Sequence, residues 1–312
     1  MSERVPTEAR QQEEDRNIVE RINLRMVYDP DTVYRVLFAV VTAFFVLMAL
    51  FPLYWLLALA LTPSSALADV GLLPAGFNPG VFLELFGQVP FHHFMFNSAV
   101  MASLTTVIVL VIGSVAGYIF GRLEFPGRRV LLLGILLISY FPPAAFLIPL
   151  FRLFTANVPI LGYTPPELFN TPGAIVFPLS ALVMPLMIYI LATFYSQIPD
   201  GLEDAARIEG DTRVGALFRV IVPLSAPGVA TAGVLTFIVV YNEFFFSFLM
   251  TSGQAENWSP IVHGILSFQG AQEIFVNLMA AAALVGIVPM AVVVLIAQEK
   301  IVSGLTAGAL KE

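Results

Sequence analysis

The chain has no cysteine, which excludes disulfides and thiol chemistry. It has two lysines, Lys300 and Lys311, which follow Glu299 and Leu310. A phosphate-cradling loop needs Gly-Lys-Ser/Thr, so none is present. Histidine is scarce: His92, His93 and His263 are all there is. The His92–His93 pair has no Asp, Glu or Cys nearby to complete a metal site, so no metal ligands are assigned. No Gly-x-Ser-x-Gly nucleophile turn occurs, and no catalytic residues are assigned. Charge is thin as well, at 12% of residues, where a soluble domain carries about 25%. The net charge of −7 gives no reason to expect a nucleic-acid partner.

What the chain has instead is apolar length. Hydrophobic residues make up 58% and the mean hydropathy is +0.86. A helix of roughly 20 apolar residues spans a bilayer, and six such runs are legible, at about 35–62, 95–120, 130–151, 173–196, 226–250 and 275–298. Pro142, Pro143, Pro149, Pro178, Pro185, Gly286 and Pro289 lie inside them. Membrane bundles tolerate such residues because neighbouring helices or water take up the freed backbone groups. The reading is an all-α membrane protein with a transmembrane domain over 34–299.

Basic residues set the orientation. Arg4, Arg10, Arg16, Arg21, Arg25 and Arg35 precede or open the first run. Arg122, Arg128 and Arg129 follow the second, Arg207, Arg213 and Arg219 follow the fourth, and the two lysines follow the last. With six spans, only Arg152 falls on the opposite side. The positive-inside rule then puts both termini and the 198–227 loop in the cytoplasm. The tail 1–33 lacks the apolar core and cleavage site of a removed signal peptide. Its residues 17–26 fit either a short amphipathic surface helix or an ordinary tail. A second cytoplasmic tail covers 300–312. The outer loops, about 63–94, 153–172 and 251–274, are too short to be domains of ordinary size, so a large extracytoplasmic recognition module would be another chain.

The loop 198–227 is charged and helix-forming, yet lies between two apolar runs. Asp200 with Glu203 reads as a capping-box-like start. Leu202, Ala205, Ala206 and Glu209 share one mostly small face, and Glu203 with Arg207 forms an i,i+4 pair on another. Gly210 suits the left-handed residue that ends a helix. Asp211 or Thr212 caps a second helix, whose apolar stripe is Val214, Leu217, Phe218 and Ile221. Pro223 and Pro227 break it before the fifth run. A small first helix suits close approach to a partner, and an apolar second helix suits anchorage on the spans. A generic amphipathic connector fits these features too.

The spacing Asp204-Ala205-Ala206, three residues, Gly210, nine residues, Val220-x-Val222-Pro223 closely resembles the EAA loop of ABC importer permeases. That pattern is Glu-Ala-Ala, x3, Gly, x9, Ile-x-Leu-Pro. Asp204 stands where the family has glutamate, and Glu209 where aspartate often precedes the glycine. The stretch Gly117-Tyr118-Ile119-Phe120-Gly121-Arg122-Leu123-Glu124-Phe125-Pro126-Gly127 resembles the second-span exit of carbohydrate permeases of the maltose-permease G type. So do Phe141-Pro142-Pro143, Ile148-Pro149-Leu150-Phe151, Tyr241-Asn242-Glu243-Phe244 and the tail from Ile301 to Ala309. The resemblance implies a type I importer fold with six transmembrane helices in the cell (inner) membrane. It implies a second homologous permease, a pair of ATPase subunits carrying ATP and Mg, an extracytoplasmic solute-binding protein and a sugar substrate. This chain would itself bind no cofactor and catalyse no reaction. It further implies ATPase coupling through Glu203, Asp204, Ala205, Ala206, Arg207, Gly210 and Pro223. Gly304, Leu305, Thr306 and Gly308 in the tail become a second candidate contact. The outer loop with Asn257, Trp258 and Ser259 resembles the one that meets the binding protein.

Glu243 is the one acidic residue well inside a run, with Asn242 beside it. Charged groups there face a cavity or a partner. Lining of a translocation path, contact with a second permease and a plain helix–helix hydrogen bond all fit. A permease for a polyol, glycerol phosphate or peptide is the nearest alternative function. A stand-alone secondary transporter would show repeats and more ionisable residues at mid-membrane, and a membrane enzyme would need clustered reactive groups.

Overall fold

The computed structural model describes residues 30–156, 166–270 and 274–309. The amphipathic stretch at 17–26 and the five arginines from Arg4 to Arg25 lie outside them. Two units are distinguished, Met1–Leu56 and Leu57–Glu312, and each is taken by itself. The first contributes most of helix α1 (Pro30–Leu61), an apolar rod that carries Pro52 and its own ring pairs, Phe44 on Phe45 edge-to-face and Phe51 on Trp55 stacked.

The second unit runs through α2 (Val81–Gln88), α3 (Phe91–Arg122), α4 (Arg128–Ile138), α5 (Ala144–Phe154) and α6 (Gly173–Tyr195). Then come α7 (Asp200–Ile208), α8 (Arg213–Leu224), α9 (Ala226–Tyr241), α10 (Phe245–Met250), α11 (Ile261–Leu266) and α12 (Val276–Ala309). No strand is formed among the described residues; Gln269 and Ile274 make a single bridge.

Among the described residues four helices, α1, α3, α6 and α12, are long and apolar enough to cross a membrane; α8 and α9 make a fifth only if counted as one span bent by 85°. Four of the six expected spans therefore stand as long helices close to their expected bounds. The third, 130–151, is two 11-residue helices, α4 and α5. At 1.5 Å per residue each reaches about 16 Å, half the hydrocarbon core. The break falls at Ser139–Pro143, where two successive prolines withhold backbone donors and push the preceding residue out of helical conformation. The fifth, 226–250, is broken at Asn242–Phe244 into α9 and α10. The last helix overruns its expected end and carries the tail in helical form through Ala309.

The core is built where α3 and α6 run together. Val109 and Tyr118 of α3 meet Met187, Leu191 and Tyr195 of α6, Leu217 and Ile221 of α8, and Ala232 of α9. The approach is permitted by Gly113, Gly117 and Gly121, spaced i, i+4, i+8 on one face of α3. A Cβ on Gly117 would lie 2.8 Å from Leu191 Cβ, and one on Gly121 would lie 2.6 Å from the Ala192 carbonyl oxygen. Small residues at four-residue spacing let membrane helices bring their backbones together. Within this stretch the Tyr195 hydroxyl donates to Ser114 Oγ at 2.9 Å. The Tyr241 hydroxyl donates to the Gly286 carbonyl at 2.9 Å and ties α9 to α12.

Candidate functional site

The loop between α6 and α9 folds as two helices joined by a tight turn, as its sequence implied. Gly210 ends α7 with φ +101°. The Asp211 N–H donates to the Ala206 carbonyl at 3.0 Å, and the Gly210 N–H to the Arg207 carbonyl at 3.1 Å. This paired closure is a Schellman turn, which needs the left-handed residue that glycine supplies at least cost. Thr212 caps α8 by accepting from the Gly215 N–H at 3.0 Å, and Asp211 instead holds Arg219 at 2.5 Å.

The start of α7 departs from expectation. Its N-cap is Pro199, with no side-chain cap bond, so the Asp200–Glu203 capping box does not form. Nor does Glu203 pair with Arg207. The residue is buried, with its carboxylate turned toward the end of α3. There it accepts the Tyr118 hydroxyl proton on one oxygen and the Arg122 Nε–H, at 3.0 Å, on the other. Arg122 also donates to the Ile198 carbonyl and pairs with Asp200 at 3.0 Å. A guanidinium with this fork satisfies two carboxylates and a carbonyl from one buried stem. Once the pair is this enclosed, removing either partner would strand a charge at a cost of about 3–5 kcal/mol.

Inward anchorage of Glu203 fixes what faces out. Asp204, Ala205, Arg207, Ile208, Glu209, Gly210 and Pro223 are exposed and Ala206 is half-buried. Ile208 is 87% exposed, an extreme value for an isoleucine on a charged helix. The apolar stripe of α8 is split: Leu217 and Ile221 enter the core, whereas Val214 and Phe218 stay exposed. A π-helical turn over Leu217–Ile221 accompanies the split, and α9 leaves at 85° just after it.

Glu243 is buried at the break between α9 and α10. Its carboxylate accepts the backbone N–H of Phe246 at 2.6 Å and of Ser247 at 3.1 Å. It thus satisfies two of the orphan donors that open α10. Asn242 is exposed, donating to the Ile238 carbonyl at 2.9 Å and lying 3.2 Å from Met290 Sδ on α12. Gly304, Leu305, Thr306 and Gly308 fall on the last turns of α12; their side-chain surroundings lie outside the described residues.

At the other end of α3, Asn97 Nδ2 donates to the carbonyls of Ala255 at 2.7 Å and Ser259 at 3.0 Å. Ser98 Oγ accepts the Ile261 N–H at 2.8 Å. This bracket holds the loop that presents Asn257 and Trp258, the latter left-handed at φ +60°. His263 stacks on Phe248 in the same region. Burial lowers its pKa below the ordinary 6.5, with a bond to the Ser247 main chain working the other way. A depressed histidine pKa adds stability above the unfolded value and loses it as pH falls through 6.5 toward the folded value. Acidification from about pH 7.5 to about pH 5 is therefore expected to lower the amide protection factors across Thr251–Phe268, measured as exchange relative to the intrinsic rate at each pH, and His263→Gln to flatten that dependence.

Residues 110–306 match the family described as binding-protein-dependent transport system inner membrane component. The chain belongs to that family. The permease is 37% identical over 264 residues to the sulfoquinovosyl glycerol transport system permease protein of Agrobacterium fabrum, covering 84% of this chain and 89% of that one. It is 37% identical over 265 residues to the trehalose transport system permease protein of Mycobacterium tuberculosis, covering 84% and 93%. It is 32% identical over 280 residues to the trehalose/maltose transport system permease protein of Thermococcus litoralis, covering 89% and 97%. Its fold matches a chain of a bacterial ABC transporter involved in the import of the acidic polysaccharide alginate. There the TM-score is 0.65 and the identity 21%, over 87% of this permease and 97% of that chain. The permease is accordingly a multi-pass membrane subunit of the ABC importer class.

In the sequence Arg122 stands as an orientation charge and as part of the 117–127 stretch, and its partnership with Glu203 is not among the expectations. The signal was available, since Tyr118 and Arg122 sit i,i+4 on α3 and so share a face.

Proposed function

We propose that this permease forms half of the translocation path of an ATP-driven importer for a sugar or oligosaccharide. The observation that carries the reading is the outward face of α7. Asp204, Ala205, Ile208 and Glu209 are exposed on a helix whose opposite face is locked to α3. Small, charged and apolar positions side by side fit a protein cleft better than water or lipid. In this reading ATP and Mg bind a pair of separate ATPase subunits, which receive the loop through Asp204, Ala205, Ala206, Arg207 and Gly210, with Pro223 setting its exit. The tail at Gly304, Leu305, Thr306 and Gly308 adds a second contact.

A homologous permease completes the path, to which Asn242 and Glu243 contribute, and an extracytoplasmic binding protein delivers the solute. The chain crosses the cell membrane six times, α4 with α5 supplying the third crossing and α9 with α10 the fifth. Both termini are cytoplasmic, the tails being 1–33 and 300–312 and the coupling loop 198–227. The sugar assignment rests on relatives named for sulfoquinovosyl glycerol, trehalose and maltose transport.

The test is gentle affinity purification of the tagged chain from its native membrane, with mass spectrometry of what accompanies it. A P-loop ATPase, a second permease and a binding protein are expected, and that binding protein is then screened against sugars, polyols, glycerol phosphates and peptides. A chain that comes down alone and still transports solute after reconstitution would be a secondary transporter.

A further inference from the structure

Glu203 sits on the loop that the importer reading assigns to the ATPase, yet its carboxylate is buried against α3. Among the described residues its side chain bonds to Tyr118 and Arg122 of α3. The side chain of Arg122 is 4% exposed and that of Glu203 10%. Arg122 further grips the turn before α7 at the Ile198 carbonyl and its first residue at Asp200. Three points of the chain, at 198, 200 and 203, thus hang on one guanidinium contributed from some eighty positions earlier in the sequence. The second loop helix is fastened differently, by Leu217 and Ile221 driven into the core beside Tyr118.

We infer that Arg122, Glu203 and Tyr118 are positioning residues that weld α7 to α3, so that a displacement imposed on α7 from outside is delivered to α3 without slack. The inference rests on the importer reading, and it reassigns Glu203 from the docking surface to the joint behind it. The chemistry suits the task. Apolar contacts slide at small cost because they lack direction, whereas a guanidinium fork holding two carboxylates and a carbonyl fixes angle as well as distance. Tyr118 closes the remaining freedom by binding the carboxylate oxygen that Arg122 Nε leaves open.

The test uses the complete transporter in proteoliposomes and reads two quantities, ATPase retained on purification and solute transported per ATP hydrolysed. Arg122→Gln and Glu203→Gln are each expected to keep the ATPase and to lower transport per ATP about ten-fold, as loss of a buried ionic partner allows. The double variant is expected to be no worse than either single variant within about two-fold, because both remove one joint. Arg122→Cys with Glu203→Cys, bridged by a bifunctional thiol reagent, is expected to recover most of the ratio; the chain has no cysteine of its own to confuse the reaction.

Loss of the ATPase in Glu203→Gln but not in Arg122→Gln would make Glu203 a docking contact and overturn the inference. So would an unchanged ratio in both, or a bridged variant that stays uncoupled. If either Gln variant fails to accumulate, Tyr118→Phe carries the test, with an expected loss of about three-fold for one hydrogen bond and an unchanged ratio counting against the joint. A wild-type chain that brings down no ATPase would instead remove the importer reading beneath it.

Discussion

Replacing Ala205 with tryptophan is expected to abolish association with the ATPase while the chain still inserts and folds. Ala205 lies two residues from Glu203, about 200° around the helix. Its side chain therefore points away from the face that Arg122 holds, and it is exposed. Tryptophan there costs the helix itself only about 0.5 kcal/mol in propensity. A surface change remote from core and caps stays near that size for stability. Against a closely fitted partner the same ring is an obstruction that neither backbone can relieve, because interfaces pack at interior density. Membrane level, thermal stability in detergent and ATPase recovery would be measured together. Normal stability with lost recovery is expected, and normal recovery with normal transport would show that α7 does not dock.

The largest structural effect is expected at Gly121. Any substituent places a Cβ 2.6 Å from the Ala192 carbonyl oxygen, so no choice of rotamer relieves the contact. Gly121→Leu must push α3 and α6 apart. Forcing groups into a packed interior costs typically about 1–3 kcal/mol, and more where backbone has to move. Because Tyr118 and Arg122 lie within four residues of Gly121, the separation also draws them off Glu203. The variant is expected to accumulate poorly and to unfold at least several degrees earlier in detergent. Gly134→Leu, at a glycine whose added Cβ would meet nothing within 4 Å, is the control expected to behave as wild type. Equal stability of the two variants would mean that the glycine seam does not hold these helices together.

Much of this architecture was legible in the residues. Long apolar runs gave α1, α3, α6 and α12 because a span needs little beyond length and hydropathy. Gly210 and Thr212 gave the loop its turn and its cap because both act through local backbone geometry. The departures have two causes. Hydropathy does not register where a run is broken, so Pro142–Pro143 and the Asn242–Phe244 kink were read through. At that second break Glu243 serves α10 through backbone donors three and four residues on, a use that its isolated charge did not suggest. Glu203 was assigned to Arg207 by helical spacing, but a neighbour on an exposed helix face competes poorly with a buried guanidinium 81 residues away. Nothing local to 200–208 could have revealed that competitor.

Of the four long helices, α1, α6 and α12 carry proline within them and α3 does not. Its 32 residues make a column about 48 Å long. One end is bolted by Asn97 and Ser98 to the loop that displays Trp258, the other by Tyr118 and Arg122 to α7. A pushrod pinned at both ends stores little of what it is given. If α7 is driven from outside as proposed, the loop that displays Trp258 would receive that motion as a tilt of one stiff member, and only so long as Gly113, Gly117 and Gly121 keep it seated on α6.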